Sequence, residues 1–233
     1  MTLPFAKAQL LEQFARVGKT LSSPARIELL DLLAQGEKSV EALADRANLS
    51  VTNTSNHLKT LRAAGLIVSR RDGQFVFYRL GDESVLALLR SLQDVARRQL
   101  AEAREIVRQY FEEPQTLEPV SASDLLARMR AGEVIVLDVR PEDEYAAGHI
   151  PGAISMPVEK LERRLAEIPN DKEVVAYCRG PHCVLAVRAV SFLRERGYHA
   201  RRLEDGLPDW RARGHDVAVG EAVGKLPAFG RNR

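Results

Sequence analysis

The amino end of the chain sets Leu3, Phe5, Leu10, Leu11, Phe14, Val17 and Leu21 among Lys7, Glu12, Arg16 and Lys19, a pattern that predicts an amphipathic helix. Ser23-Pro24 then supplies a capping hydroxyl and a proline at the first helical position. Ile27, Leu29, Leu30, Leu32 and Leu33 form the apolar face of that second helix, and Gly36 ends it. Ser39 predicts the cap of a short helix over 40–47, and Ser50 the cap of another to about residue 64, closed by Gly65. Two short capped helices separated by Asn48-Leu49 have the form of a helix-turn-helix. Two β-rich runs follow around Asp72-Gly73, a hairpin signal, and a hairpin placed there is a wing. From 84 to 111, Val85, Leu89, Leu92, Ala96, Leu100, Ala103, Val107 and Tyr110 step by three or four. They predict one helix of about eight turns with a single apolar stripe.

The pattern changes after two prolines, Pro114 and Pro119, with no apolar periodicity between them, which reads as a linker. Beyond it, helices and short apolar runs alternate. Ser123 predicts a cap for a helix to Ala131, and strands are expected over 134–139, 173–177 and 200–203. Helices are expected over 158–168 and 184–197. Such alternation predicts a parallel sheet with helices on both faces. The expected organisation is a helical, wing-bearing unit over 1–113, a linker over 114–120, an α/β unit over 121–219 and a loosely ordered tail over 220–233.

Net charge is only +2 over 233 residues, so composition alone does not announce nucleic-acid binding. Its distribution does more. Residues 50–79 carry Lys59, Arg62, Arg70, Arg71 and Arg79 against the single acid Asp72, whereas residues 114–233 hold eighteen basic and eighteen acidic groups. A local basic patch in a near-neutral chain is the footprint of a DNA-contacting module. No apolar run approaches a membrane span, and the interleaved charges of the amino end argue against a secretion signal, so a cytoplasmic location is expected. The two cysteines, Cys178 and Cys183, cannot staple a chain this long, which favours reactivity over scaffolding.

The first half resembles the ArsR family of winged-helix repressors. The resemblance rests on Leu21-Ser22-Ser23-Pro24-Ala25-Arg26, on Leu49-Ser50, on the run from Asn56 through Ile67, and on the wing ending Phe77-Tyr78-Arg79-Leu80. It implies a homodimer on palindromic double-stranded operator DNA, and the amino-terminal helix and the 84–111 helix supply apolar stripes for such a dimer. On a helix starting at Ser50, Thr54, Leu58 and Leu61 share the inward face, while Thr52, Asn53, Ser55, Asn56 and Lys59 point outward to the major groove. Arg70, Arg71 and Gln74 at the wing tip are candidates for backbone phosphate or the minor groove. His57, beside the inward Leu58, reads as a packed residue rather than a metal ligand. Many relatives bind thiophilic metals through cysteines before the recognition helix. This chain has Gly36-Glu37-Lys38-Ser39-Val40 there and no cysteine before Cys178, so no metal and no cofactor are expected.

The second half resembles rhodanese-like sulfurtransferase domains. The motifs are Asp138-Val139-Arg140, the run from Glu144 to Ala153, Val174-Val175-Ala176-Tyr177-Cys178-Arg179, and Leu203-Glu204-Asp205-Gly206-Leu207-Pro208-Asp209-Trp210, with Asp205 where glycine is commoner. Cys178 ends a strand and a helix begins six residues on. The loop Cys178-Arg179-Gly180-Pro181-His182-Cys183 is therefore expected to aim backbone N–H groups at the Cys178 sulfur and to stabilise a thiolate, then a persulfide. Arg179 and His182 add positive charge, and Gly180 permits unusual dihedrals. Phosphatases of this fold place an arginine six positions after the cysteine. Val184 stands there, which favours sulfur transfer. Cys183 reads either as a resolving thiol for Cys178 or as a small helix cap. Asp138, Arg140, Glu144 and His149 read as braces beneath the loop.

Together the halves predict a DNA-binding repressor that senses or transfers reactive sulfur through a persulfide on Cys178, its small-molecule partner being a persulfide, polysulfide or thiosulfate. The alternatives are a sulfurtransferase enzyme first and foremost, or a thiol sensor of arsenic or oxidants.

Overall fold

The computed structural model describes residues 3–112 and 119–220. Most of the predicted linker, and all of the predicted tail but Gly220, lie outside the described residues. The chain falls into two compact units, one ending at Gln93 and one beginning at Asp94.

In the first unit, helices α1 (Leu3–Thr20) and α2 (Pro24–Ala34) are followed by strand β1 (Lys38–Ser39) and helices α3 (Val40–Arg46) and α4 (Val51–Ala63). Strands β2 (Ile67–Asp72) and β3 (Phe75–Leu80) and the part of helix α5 (Glu83–Gln99) up to Gln93 complete it. The capping hydroxyls predicted for α3 and α4 are in place: Ser39 accepts from the Ala42 N–H and Ser50 from the Asn53 N–H. Ser23 occupies the cap position of α2 but makes no side-chain cap bond, and Pro24 alone marks that start. The wing is a hairpin in which Asp72 pairs with Phe75, and Gly73 takes the left-handed backbone (φ 58°) that this tight turn requires. The two-residue strand β1, which sequence reasoning missed, adds Lys38 and Ser39 to the outer edge of β3. Leu29, Leu30, Leu32, Leu33, Leu43, Leu58, Leu61, Ile67, Val85 and Leu89 close into one core.

The predicted continuous helix over 84–111 is broken. It runs as α5, then α6 (Ala101–Val107), then a π-turn from Arg108 to Glu112, with Leu100 extended between the two helices (φ −99°, ψ 120°). No proline or glycine marks the break, which is why periodicity alone could not find it. The Arg104 guanidinium donates to the Arg98 carbonyl freed there. The stripe divides as well, since Val85 and Leu89 are buried in the first unit's core while Leu92, Leu100 and Tyr110 stay exposed.

The second unit continues through α7 (Ala122–Arg130), β4 (Val134–Asp138), α8 (Glu142–Ala147), β5 (Ile154–Ser155) and α9 (Leu161–Arg164). It ends with β6 (Glu173–Tyr177), α10 (Val184–Glu195), β7 (Ala200–Arg202) and α11 (Leu207–Ala212). The helix expected over 158–168 is much shorter, only α9 and a 3-10 turn at Leu165–Glu167. The cap of α7 is Ser121, which accepts from the Asp124 N–H, rather than the expected Ser123. All paired strands are parallel, in the order β5-β4-β6-β7. Ile135, Leu137, Val174 and Ala176 face a core closed by α9 and α10, while Val136, Val175 and Tyr177 face one closed by α7 and α11. Both faces of β4 and β6 are therefore dry, which explains their unbroken apolar runs. Cys178 continues the face that holds Val174 and Ala176 and so arrives on the α10 side of the sheet.

Candidate functional site

Cys178 leaves the end of β6 and is almost completely buried, whereas Cys183, at the cap position of α10, is half-buried. Both are free thiols, and the Cys178 thiol reaches the Cys183 backbone carbonyl at 3.6 Å. The loop between them turns tightly, the Cys183 N–H donating to the Gly180 carbonyl at 3.1 Å. Gly180, expected to permit unusual dihedrals, is not among the glycines with positive φ.

The predicted cradle of N–H groups exists, but it is shared between the sulfurs. N–H groups of Gly180 and Ala186 favour the Cys178 anion, and those of Arg179 and Leu185 favour the Cys183 anion. Carbonyl oxygens also face Cys178, whose thiol donates to Gly180 O at 3.8 Å and to Cys183 O at 3.6 Å. Burial pushes the Cys178 thiol well up from its usual value, and the neighbouring Cys183 adds to this. Cys183 moves the other way, lowered chiefly by its neighbour Cys178, with the N–H groups and the Arg179 charge helping. Burial thus opposes ionisation at Cys178, while the loop N–H groups and the Arg179 charge favour it at Cys183.

The loop rests on buried charge. Arg140 and Asp138, both fully buried, pair at 2.5 Å, and the Arg140 guanidinium also donates to the Gly148 carbonyl at 2.7 Å. Tyr177, the residue before Cys178, donates to Asp138 at 2.6 Å and accepts from the Ile150 N–H at 3.0 Å. Arg179 grips the buried Glu144 with two bonds of 2.8 and 3.0 Å, so its charge is held beside the loop. His149 stacks on Tyr145 and bonds its carbonyl. Glu144 thus braces the loop directly and Asp138 with Arg140 through Tyr177, whereas the contacts of His149 are with Tyr145 and Ala218.

Sequence reasoning missed three further supports. Gly206 packs so tightly on the loop that an added Cβ would lie 2.2 Å from the Arg179 carbonyl carbon and oxygen and 2.4 Å from the Gly180 nitrogen. Its neighbour Leu207 donates from its N–H to the Cys178 carbonyl. Arg202 of β7 donates to the Pro181 carbonyl at 3.3 Å. His182 meets Phe111, from the π-turn after α6, edge-on at 5.7 Å. The Gly206 motif was visible in the sequence, but its contact with the loop was not. Asp205, the residue unusual in that motif, pairs with Arg213.

In the first unit, Thr54, Leu58 and Leu61 are buried, and Thr52, Asn53, Ser55, Asn56 and Lys59 lie exposed along the other side of α4. At the wing, Arg71 and Gln74 are exposed. Arg70 is exposed too but engaged, paired with Glu37 at 2.6 Å and Asp72 at 2.9 Å, with its guanidinium 4.9 Å above the Phe77 ring. His57 is half-buried.

Residues 23–69 match the family described as bacterial regulatory protein, arsR family, and residues 121–213 match the rhodanese-like domain. An HTH-type transcriptional regulator of Mycobacterium tuberculosis is 44% identical over 218 residues, spanning 94% of this chain and 96% of its own. A sulfurtransferase of Allochromatium vinosum is 32% identical over 90 residues, 38% of this chain and 82% of that protein. Among solved structures, the homodimeric winged helix-turn-helix domain (fragment 1–100) of a Mycobacterium bovis protein is 44% identical. It covers 41% of this chain and 89% of that one, with a TM-score of 0.39. Similarity to a regulator along nearly the whole of both chains, with both profile matches, shows that this chain belongs to the arsR family of HTH-type transcriptional regulators and carries a rhodanese-like domain as its second half.

Proposed function

We propose that this transcriptional regulator is a repressor that senses reactive sulfur through Cys178, which either takes a sulfane sulfur as a persulfide or bridges to Cys183. The observation that carries the reading is the pair of free thiols in one six-residue loop, the Cys178 thiol reaching the Cys183 carbonyl at 3.6 Å, with helix and loop N–H groups favouring their anions. A thiol handling one sulfur atom needs no grip on a tetrahedral oxyanion, and Val184 offers none.

The DNA-reading surface in this proposal is the exposed side of α4, with Asn53 and Asn56 reaching base edges and Lys59, Arg71 and Gln74 reaching phosphate or groove. The regulator acts as a homodimer. Exposed Leu3, Phe5, Leu10, Leu11 and Phe14 on α1, and Leu88, Leu92 and Val95 on α5, supply the apolar area that such an interface buries. Among the described residues no helix is long and apolar enough to cross a membrane.

The deciding measurement is operator affinity of the reduced protein before and after polysulfide, with mass spectrometry of the peptide holding both cysteines. Affinity is expected to fall as sulfur or a bridge accumulates at Cys178, and Cys178→Ser abolishes the fall. An equal response in Cys178→Ser sinks the proposal. A second reading, a sulfurtransferase that rides on a repressor, draws on the likeness to the Allochromatium vinosum sulfurtransferase. Its mark is fast turnover with a thiol or cyanide acceptor while operator affinity ignores the sulfur donor.

A further inference from the structure

We propose that Phe111 is a strap between the cysteine loop and the helix broken at Leu100. Resting on His182 it holds the break, and sulfur on Cys178 releases it so that α5 and α6 join into one helix. This rests on the loop responding to sulfur, as proposed above, and adds the element that carries the response.

The trigger is one sulfur atom. Cys178 takes the outer sulfur of a persulfide R–S–SH, the donor's S–S bond breaks, and the donor leaves as RSH with the Cys178 proton. Cys178 is only 2% exposed, and its sulfur already lies 3.8 Å from the Gly180 carbonyl and 3.6 Å from that of Cys183. A second sulfur bonded there must push neighbouring atoms aside, because interiors are close-packed. The start of the loop is pinned. Two bonds fix Arg179 to the buried Glu144, and Gly206 packs on Arg179 and Gly180 too closely for a Cβ. The end is pinned as well, since Cys183 is the cap position of α10, a 12-residue helix that closes the sheet's core. Between them lie Pro181 and His182. Pro181 accepts a 3.3 Å bond from Arg202, and the His182 ring meets Phe111 edge-on at 5.7 Å. A loop widened by one sulfur therefore moves His182 and breaks that ring contact.

Behind Phe111 stands a segment suited to two forms. Residues 83–112 contain neither proline nor glycine, and 96–107 are mostly strong helix formers, which favours one continuous helix. Yet Leu100 is extended, and α6 has only seven residues and no side-chain cap bond at its start. A helix that short is marginal by itself, and its first N–H groups lack intrahelical partners. If Leu100 turns helical, carbonyls at the end of α5 supply those partners, and Ala96, Leu100, Ala103 and Val107 fall on one stripe. Two contacts favour the break instead. One is the bond from the Arg104 guanidinium to the Arg98 carbonyl at 3.0 Å, and the other is the Phe111 ring on His182, in the π-turn that continues α6. Loss of the second tips the segment toward the joined form. Val85 and Leu89 of α5 share a core with Leu58 and Leu61 of α4, so the joined helix acts on an element that supports the DNA-reading helix.

The test treats the full chain with glutathione persulfide and follows sulfur on Cys178, operator affinity, and amide hydrogen exchange across 96–107. In wild type, exchange at Ala101, Glu102 and Ala103 should slow as Cys178 gains sulfur. Operator affinity should fall by roughly 5- to 150-fold, the usual range of allosteric coupling. Phe111→Ala should show the slowed exchange and the weakened binding before any sulfur is added, while its Cys178 still gains sulfur. Leu100→Gly, which favours the break, should bind operator as untreated wild type does and lose most of the response. Exchange that stays fast while Cys178 carries sulfur and affinity falls overturns the switch and leaves sulfur sensing standing. Wild-type affinity with a full response in either variant does the same. If Cys178 gains no sulfur, or gains it without any change in operator affinity, the sensing reading falls and the strap falls with it.

Discussion

The two halves of this regulator present the side chains proposed to do their work in opposite ways. On α4 and the wing, Asn53, Asn56, Lys59 and Arg71 stand in solvent and nothing in the first unit's core depends on them. Around the cysteine loop, Asp138, Arg140, Glu144 and Tyr177 are fully buried and bonded to one another or to loop residues. A surface that reads DNA must offer free donors and acceptors, because its partner supplies the other half of each bond. A loop that tunes two thiols needs its electrostatic surroundings held rigid before any substrate arrives.

Substitutions should therefore separate cleanly. Arg140→Ala should be the most damaging, leaving the buried Asp138 carboxylate uncompensated at a cost of about 3–5 kcal/mol. Chemical denaturation followed through Trp210, in the second unit, reads this directly. A loss below about 1 kcal/mol, the level of a surface pair, erases the contrast. Gly206→Ala comes next, since the new Cβ cannot fit against Arg179 and Gly180. It should cost about 1–3 kcal/mol as overpacking does and slow Cys183 alkylation, whereas an unchanged alkylation rate would detach Gly206 from the site. Tyr177→Phe removes the hydroxyl shared by Asp138 and the Ile150 N–H, with an expected loss of about 1–3 kcal/mol.

On the other side of the comparison, Asn56→Ala should leave stability within about 0.5 kcal/mol of wild type. It should still weaken operator binding by about 1–3 kcal/mol at a single base position, measured on base-substituted operators. Lys59→Ala should lower affinity evenly across sequences and reduce the salt slope by about 1. Smallest of all is Arg70→Ala, which should cost less affinity than Arg71→Ala because Arg70 is already engaged by Glu37 and Asp72. The reverse ranking in a salt titration would mean that DNA displaces those carboxylates.

The two halves also differed in how much their sequence disclosed. Ser39 and Ser50 announced their helices, Asp72-Gly73 announced the wing, and the spacing of Thr54, Leu58 and Leu61 announced which side of α4 faces inward, all from signals within a few residues. The break at Leu100 left no such trace, because an exposed leucine in a periodic stretch looks the same on either side of a kink. Nor could Ser121 be chosen over Ser123 as the cap of α7, since the two hydroxyls lie two residues apart and both suit the position.

At the cysteine loop the division is sharpest. Signals along the chain were enough to establish that a cysteine leaves a buried parallel strand, that a second thiol stands five positions on, and that a helix begins there, because strand periodicity and loop length are local properties. What surrounds each thiol was decided by folding alone. It includes burial of Cys178 in the core that α10 closes, the carbonyls facing that residue, and an arginine fixed by a glutamate 35 positions away. A thiol's acidity is the sum of desolvation and short-range fields from groups brought together by folding, and no spacing along the chain encodes that sum.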